Sequence, residues 1–371
     1  MRGQISEEDA MKLHLRDEAR ATERRAPLAP DDAAALIAQG ASIAVERSDK
    51  RVFPDEDYAR AGCALAEPGS WTTAPRDVAI LGLKELPPEP RDLPWRMIHF
   101  AHVFKRQSGW ADELARFRRG GGALYDLEYL TGPDGRRVAA FGYWAGWMGA
   151  ALGLWRLMAR ELGEPGPEAG VAAFESRAEL AERLRALRAR LGRAPKAIVI
   201  GALGRSGRGA ADALAEGGAQ ISRWDIAETA ALDADPAARA ALLGHELLVN
   251  CVLMTGPGLT LATPEMLPRP ECRLRVISDV SCDPFSDFNP LPLYLAPTGW
   301  DAPFINVGTN GAGEPVELTA IDNLPSLIPR ESSLDFSAQL TPALARFPDG
   351  EEWQAARAVF LARLAEAEEL A

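Results

Sequence analysis

Cysteine and histidine are both scarce, with four of each in 371 residues. Cys63, Cys251, Cys272 and Cys282 share no spacing that would bind a metal or build a disulfide framework, so no metal is expected and they read as free thiols in a reducing cytoplasm. Basic charge is also short. With 41 Lys and Arg against 53 Asp and Glu, a net charge of −12, the chain lacks the positive footprint of a nucleic-acid binder. The opening residues, MRGQISEEDAMK, contain no apolar stretch of the kind a secretory leader needs. The longest apolar run, VAAFGYWAGWMGAALGLW (138–155), carries four glycines, which favour a closely packed helix over a membrane span. What remains is an ordinary globular composition, 47% hydrophobic and 25% charged, with enough chain for about two domains.

Short apolar strands alternate with helical segments almost from end to end, which predicts an α/β fold. In the first half, strands are expected at LHLR (13–16), SIAVE, residues 78–83, residues 97–102 and ALYDLEYL (123–130). Helices are expected on DDAAALIAQG, DEDYARAG and residues 110–118. After the apolar Gly-rich helix, a charged helix (176–192) leads into a second half with strands in KAIVI, ISRWD, ELLVNCVLM and LRVISDVS. The last segment, EEWQAARAVFLARLAEAEEL, is amphipathic at helical spacing. A domain boundary is expected near residue 140.

The most specific local signal is KAIVIGALGRSGRG. A buried strand runs into Gly201, Gly204 and Gly207, and a small-residue helix follows. The spacing is G-x-x-G-x-x-G rather than the usual G-x-G-x-x-G. The physics is unchanged: small residues let the turn approach a pyrophosphate, and the helix N-terminus offers N–H groups and a positive dipole end. About 20 residues on, ISRWD ends in Asp225, where a carboxylate would bind the ribose hydroxyls of NAD and repel a 2′-phosphate.

The first half delivers titratable groups to strand ends, where parallel sheets bind ligands. AILGLKELP sends Lys84 and Glu85 out of one buried strand, and MIHFAHVFK places His102 and Lys105 at the end of another. His14 and His99 are expected to be structural, with the His99 ring satisfied by hydrogen bonds. Period-two alternation would put Asp126 and Glu128 on one face of a single strand. The pairs Arg24–Arg25 and Arg136–Arg137 could hold dicarboxylates bidentately.

The blocks HLR…ERRAPLAP, GSWTTAPRDVAILGLKELP, IHFAHVFKRQSGW, ALYDLEYLTGPDGRRVAAFGYWAG, IGALGRSGRGA, RWDIAET and AIDNLPSLIPRESS closely resemble the NAD-dependent, lysine-forming saccharopine dehydrogenases, from about residue 13 to the C-terminus. More distantly, the chain is similar to alanine dehydrogenase and the nicotinamide transhydrogenase domain. The resemblance implies two Rossmann-like domains, with parallel-rich sheets and an interdomain active-site cleft. Residues 1–140 with 335–371 would be the substrate domain, and 141–334 the NAD-binding domain. It implies NAD as cofactor and saccharopine, or lysine plus 2-oxoglutarate, as substrate; a monomer is expected.

By the same resemblance, Lys84 matches the base for the secondary amine and His102 the acid–base group for imine hydrolysis, with Glu85 and Glu128 as their acidic neighbours. Arg25 and Lys105 match basic groups near the substrate carboxylates, and Arg137 is a third candidate. Gly204, Arg205, Asp225 and Asp322 match cofactor-side positions, and Gly201, Ser206, Gly207 and Thr229 complete that set. Where the fungal turn carries a cysteine this chain has Ser206, so no disulfide from there to Cys251 can form. Two other readings stay open. One is a related dehydrogenase that joins 2-oxoglutarate to a different amine, and the other is a non-catalytic NAD-binding regulator.

Overall fold

A computed structural model describes residues 11–104, 109–254, 256 and 258–369. They fall into two compact units, one formed by the residues up to Ala140 together with those from Ser332 onward, the other by Phe141–Glu331.

The first unit starts with β1 (Lys12–Leu15), α1 (Pro30–Ile37), β2 (Ser42–Glu46), α2 (Asp55–Arg60), β3 (Ala64–Ala66), β4 (Ala79–Leu81), β5 (Arg96–His99), α3 (Trp110–Gly120) and β6 (Ala123–Asp126). The strands pair in the order β3-β2-β1-β4-β5-β6, every neighbour parallel. This is a doubly wound order, which changes direction between β1 and β4 and opens a crevice at their carboxyl ends. Three strands are shorter than the sequence predicts. The strand expected at 78–83 is β4, Ala79–Leu81. The one expected at 97–102 stops at His99, and the one expected at 123–130 stops at Asp126, where Leu127 N–H crosses to the His99 carbonyl and Tyr129 N–H closes a turn on Asp126.

The second unit contains α4 (Gly142–Leu162), α5 (Arg177–Leu191), β7 (Lys196–Ile200), α6 (Arg205–Glu216), β8 (Gln220–Trp224), α7 (Ile226–Thr229), α8 (Pro236–Leu243), β9 (Leu247–Asn250), β10 (Val276–Asp279), β11 (Ile305–Thr309) and β12 (Pro315–Thr319). Its sheet runs β11-β12-β10-β9-β7-β8, parallel except for the antiparallel pair β11–β12. The central strands β7 and β9 are apolar apart from Lys196 at the start of one and Asn250 at the end of the other, as a sheet buried on both faces requires. α4 is the apolar Gly-rich segment, and its glycines allow it to lie directly against α6. A Cβ on Gly146 would stand 1.8 Å from the Ser206 carbonyl oxygen, and one on Gly209 would stand 1.9 Å from that of Tyr143. None of the helices described is long and apolar enough to cross a membrane.

The chain ends with α9 (Pro329–Leu344) and α10 (Glu351–Glu369). α10 covers β6 and α3 of the first unit through edge-to-face contacts of Tyr125 with Trp353 (5.8 Å) and Phe117 with Phe360 (5.6 Å).

Candidate active site

In the first unit, the register pairs Leu15 with Leu81, Leu81 with Ile98, and His99 with Asp126, so the residues that follow β1, β4, β5 and β6 emerge along one sheet edge. Lys84 is three residues beyond β4. Burial pushes its pKa down and the Arg25 charge adds to this, against the pull of Glu23 and Glu85. Glu85 accepts a hydrogen bond from Arg20 at 2.6 Å. Arg25 is buried and grips Glu23 with Nε and Nη2 at 2.8 and 2.6 Å. Burial works against the Glu23 charge, but Arg25 holds that carboxyl below its ordinary pKa.

His102 lies in the loop after β5, not within the strand. It has φ 58°, a left-handed conformation that among non-glycine residues is commonest for Asn, Asp and His. Its ring stacks on Phe100, and Nδ1 stands 3.6 Å from Glu128 Oε2. Glu128 is in the turn after β6, so strand alternation with Asp126 does not relate the two. Asp126 instead reaches forward and accepts the Glu128 N–H at 2.9 Å. Asp126 is fully buried; burial and the Glu128 charge raise its pKa to about 6.

His99 departs from expectation. It is buried, but neither ring nitrogen has a hydrogen-bond partner among the described residues, and burial first, then the Arg16 charge, pushes its pKa well below the ordinary value. It borders a cavity of about 240 Å³, shared with Glu85, His102, Trp110 and Glu113. His14 does find a partner, Glu46, at 3.2 Å. Lys105 lies outside the described residues. Arg137 is exposed and bridges to Thr131 in the turn beyond β6.

The second unit presents the glycine-rich turn at the carboxyl end of β7. Its sheet changes direction between β7 and β9, so the turn occupies the corresponding crevice. Gly201 has φ 77°, which only glycine adopts without strain here, and Gly204 is the N-cap of α6. A Cβ on Gly207 would meet the Gly201 carbonyl at 2.1 Å, filling the space where the turn closes on itself. Arg205, Ser206 and Gly207 form the first turn of α6, whose N–H groups have no carbonyl within the helix.

Asp225 caps α7. Its Oδ1 takes the Ile226 N–H and its Oδ2 the Leu203 N–H, both at 2.9 Å, and the carboxylate also accepts the Glu228 N–H in a capping box, which ties it to the glycine turn and leaves room for a further bond. Thr229 donates its hydroxyl to the Asp225 carbonyl at 2.8 Å. Asp322 is exposed just beyond β12. Glycines that admit a close backbone approach, a helix N-terminus and a half-exposed acid at the next strand end fit a dinucleotide. Among the described residues no cluster of His, Cys, Asp and Glu could hold a metal ion, and all four cysteines are free thiols.

Sequence reasoning missed several polar residues that the fold brings to these edges. Arg16 and Glu18 are buried beyond β1, and in the second unit Asp279 joins Asn250, Ser281 and Tyr294 at the ends of β9 and β10. Asp279 ends the buried strand VISD, a signal that is readable. Glu18, three residues past β1, looks in the sequence like a surface charge.

These features define an α/β protein of two doubly wound units. Residues 14–148 match the family described as alanine dehydrogenase/PNT, N-terminal domain. The fold is that of an L-alanine dehydrogenase, with TM-score 0.70 and 18% identity over 97% of this chain and 100% of that one. A transhydrogenase from Sinorhizobium meliloti superposes with TM-score 0.62 and 17% identity over 93% of this chain and 97% of its own. Sequence similarity is much higher to proteins named saccharopine dehydrogenase (NAD(+), L-lysine-forming). Identity is 41% with that of Neurospora crassa, over 94% of this chain and 95% of the relative, and 39% with that of Yarrowia lipolytica, over 94% and 96%. The chain belongs to the lysine-forming saccharopine dehydrogenase family.

Proposed function

We propose that this protein is an NAD-dependent oxidoreductase that converts saccharopine to lysine and 2-oxoglutarate, reversibly. The observation that carries the reading is the 41% identity over nearly the full length of the Neurospora crassa relative. In balance, saccharopine, NAD and water give lysine, 2-oxoglutarate, NADH and a proton.

NAD, when bound, accepts the hydride. Lys84 takes the proton from the secondary amine, and its lowered pKa makes the neutral, accepting form more available. The freed nitrogen lone pair then assists loss of hydride from the adjacent carbon, leaving an imine. His102, beside Glu128, takes a proton from the water that adds to the imine carbon, then returns it to the nitrogen as the C–N bond breaks. Lysine leaves with the nitrogen, and 2-oxoglutarate keeps the oxygen from water. Glu85 and Glu128 tune the two acid–base groups, and Arg25, Lys105 and Arg137 bind substrate carboxylates. Gly201, Gly204, Arg205, Ser206 and Gly207 would hold the pyrophosphate and Asp225 the ribose hydroxyls, with Thr229 and Asp322 as further cofactor-side groups.

A net charge of −12 and four free thiols support a monomer working in the cytoplasm, which sedimentation and cell fractionation would check. The function itself is tested by NADH oxidation with 2-oxoglutarate and a panel of amines. Lysine should give the highest kcat/KM, and Lys84→Met should lower turnover roughly 10²–10⁴-fold. A better amine, or full turnover in the variant, would overturn the assignment.

A further inference from the structure

The backbone that carries Lys84 is held from both sides by one buried ion pair. Glu18, 6% exposed, sits three residues past β1, and its two carboxylate oxygens accept the N–H groups of Leu83 (2.6 Å) and Lys84 (3.0 Å). Arg16, 2% exposed, pairs with the same carboxylate at 3.2 Å. Its Nη2 donates to the Lys84 carbonyl and, at 3.4 Å, lies against that of Glu85. The Lys84 residue is thus fixed at both of its main-chain polar groups by side chains more than 60 positions away.

The path of the guanidinium depends on Gly82. A Cβ there would stand 2.4 Å from Arg16 Nε and 2.8 Å from Cζ. Three features therefore meet at one peptide: a buried carboxylate, a buried guanidinium and a side-chain-free residue that admits it. A buried ion pair is a weak source of net stability, because desolvating both charges offsets most of their attraction. Here its hydrogen bonds converge on a segment that regular structure has released, since β4 ends at Leu81 and Pro87 and Pro88 prevent a helix from following.

We propose that Arg16 and Glu18 are positioning residues that set where the Lys84 amine stands. The inference rests on the reading of Lys84 as the base. Neither residue exchanges protons with substrate. They hold the Lys84 main chain, and a shift of about 1 Å in an acid–base group costs roughly 10²-fold in rate.

Length of side chain separates this role from an electrostatic one. Glu18→Asp keeps the charge but withdraws the carboxylate by one methylene, so kcat with saccharopine should fall roughly 10²-fold. Glu18→Gln keeps the reach and one acceptor oxygen, so its loss should be smaller, about tenfold. The KM for NAD should stay within about twofold in both, since a residue acting only through Lys84 leaves cofactor binding alone. Gly82→Ala, which displaces the guanidinium without removing a charge, should also lower kcat, and it serves if the Glu18 variants do not fold.

The double variant Glu18→Asp/Lys84→Met is decisive. If Glu18 acts through Lys84, it should be no slower than Lys84→Met alone. Multiplying losses would overturn the proposal, and so would a Glu18→Asp or Gly82→Ala enzyme with wild-type kcat. Should Lys84→Met itself turn over normally, the reading of the base falls instead, and that result is distinct from either of these.

Discussion

Asp126 holds a proton at a pH where an ordinary aspartate does not, and this has a measurable consequence for stability. The side chain is fully buried at the end of β6, and its pKa rises from 3.8 to about 6. Burial is the main cause; the Glu128 charge adds to it, while the N–H groups of Glu128 and Ala101 and the nearby His102 pull the other way. In the unfolded chain the group ionises near its ordinary value. Between about pH 4 and pH 6 the native state therefore binds more protons than the unfolded state, and stability falls as pH rises through this window. The stability present below the unfolded pKa is lost by the time pH exceeds the folded pKa. At about 1.4 kcal/mol per unit, the full penalty approaches about 3 kcal/mol.

Asp126→Asn removes the ionisation. The amide can keep the Glu128 N–H bond on its carbonyl oxygen. Any loss from packing or hydrogen bonding is the same at each pH, whereas the ionisation penalty grows by on the order of 1 kcal/mol between about pH 5 and pH 7.5. Urea unfolding of wild type and variant at those two pH values reads the difference directly. The variant should gain on wild type by about that amount, several-fold in the equilibrium constant. A difference that is flat in pH, or that shrinks as pH rises, would refute the raised pKa.

Two other outcomes follow from the second unit. Asp225→Ala should lower the ratio of kcat/KM for NAD over NADP by roughly 10–10²-fold, the worth of one or two hydrogen bonds to a charged acceptor; an unchanged ratio would show that Asp225 does not read the ribose. Gly146→Ala would put a methyl group 1.8 Å from the Ser206 carbonyl, so it should cost about 1–3 kcal/mol and weaken NADH binding by displacing the first turn of α6. Thermal melting and fluorescence titration check both parts, and a variant matching wild type in melting and affinity would mean that α4 and α6 are not in backbone contact.

Much of this architecture was readable because its signals are local. Buried runs such as KAIVI and the glycine turn carry their own periodicity and turn chemistry, so β7, α6 and the role of Asp225 as a strand-end acid could be placed from residues close together in the chain. The hairpin β11–β12 was also locally marked, by Asn310-Gly311, and went unread. In the structure Asn310 Oδ1 accepts the N–H groups of Ala312 and Glu314, both at 3.0 Å, to make that turn. Strand lengths in the first unit were overestimated for a different reason. LEYL continues the apolar pattern of ALYD, but Leu127 makes the last ladder bond, to His99, and the Tyr129 N–H then turns the chain back on Asp126, a departure set by the fold rather than by the segment.

The same reasoning explains why the part played by the buried acids is not legible in the sequence. Where a parallel strand ends, the next residues lose their ladder partners and their N–H groups must find acceptors elsewhere. In this sheet buried acids meet that need. Glu18 takes Leu83 and Lys84, Asp126 takes Glu128, and Glu46 takes Asp17 and Trp71, both at 2.8 Å. Glu46 and Asp126 are the last residues of β2 and β6, and Glu18 lies three beyond β1. In a sequence each looks like a surface charge that closes an apolar run, because solvation and burial are not distinguished by residue type. What separates them is the count of main-chain donors released at the neighbouring strand end. An acid within about three residues of a parallel strand's carboxyl end is therefore better read first as an acceptor for the adjacent loop, and only then as a catalytic group.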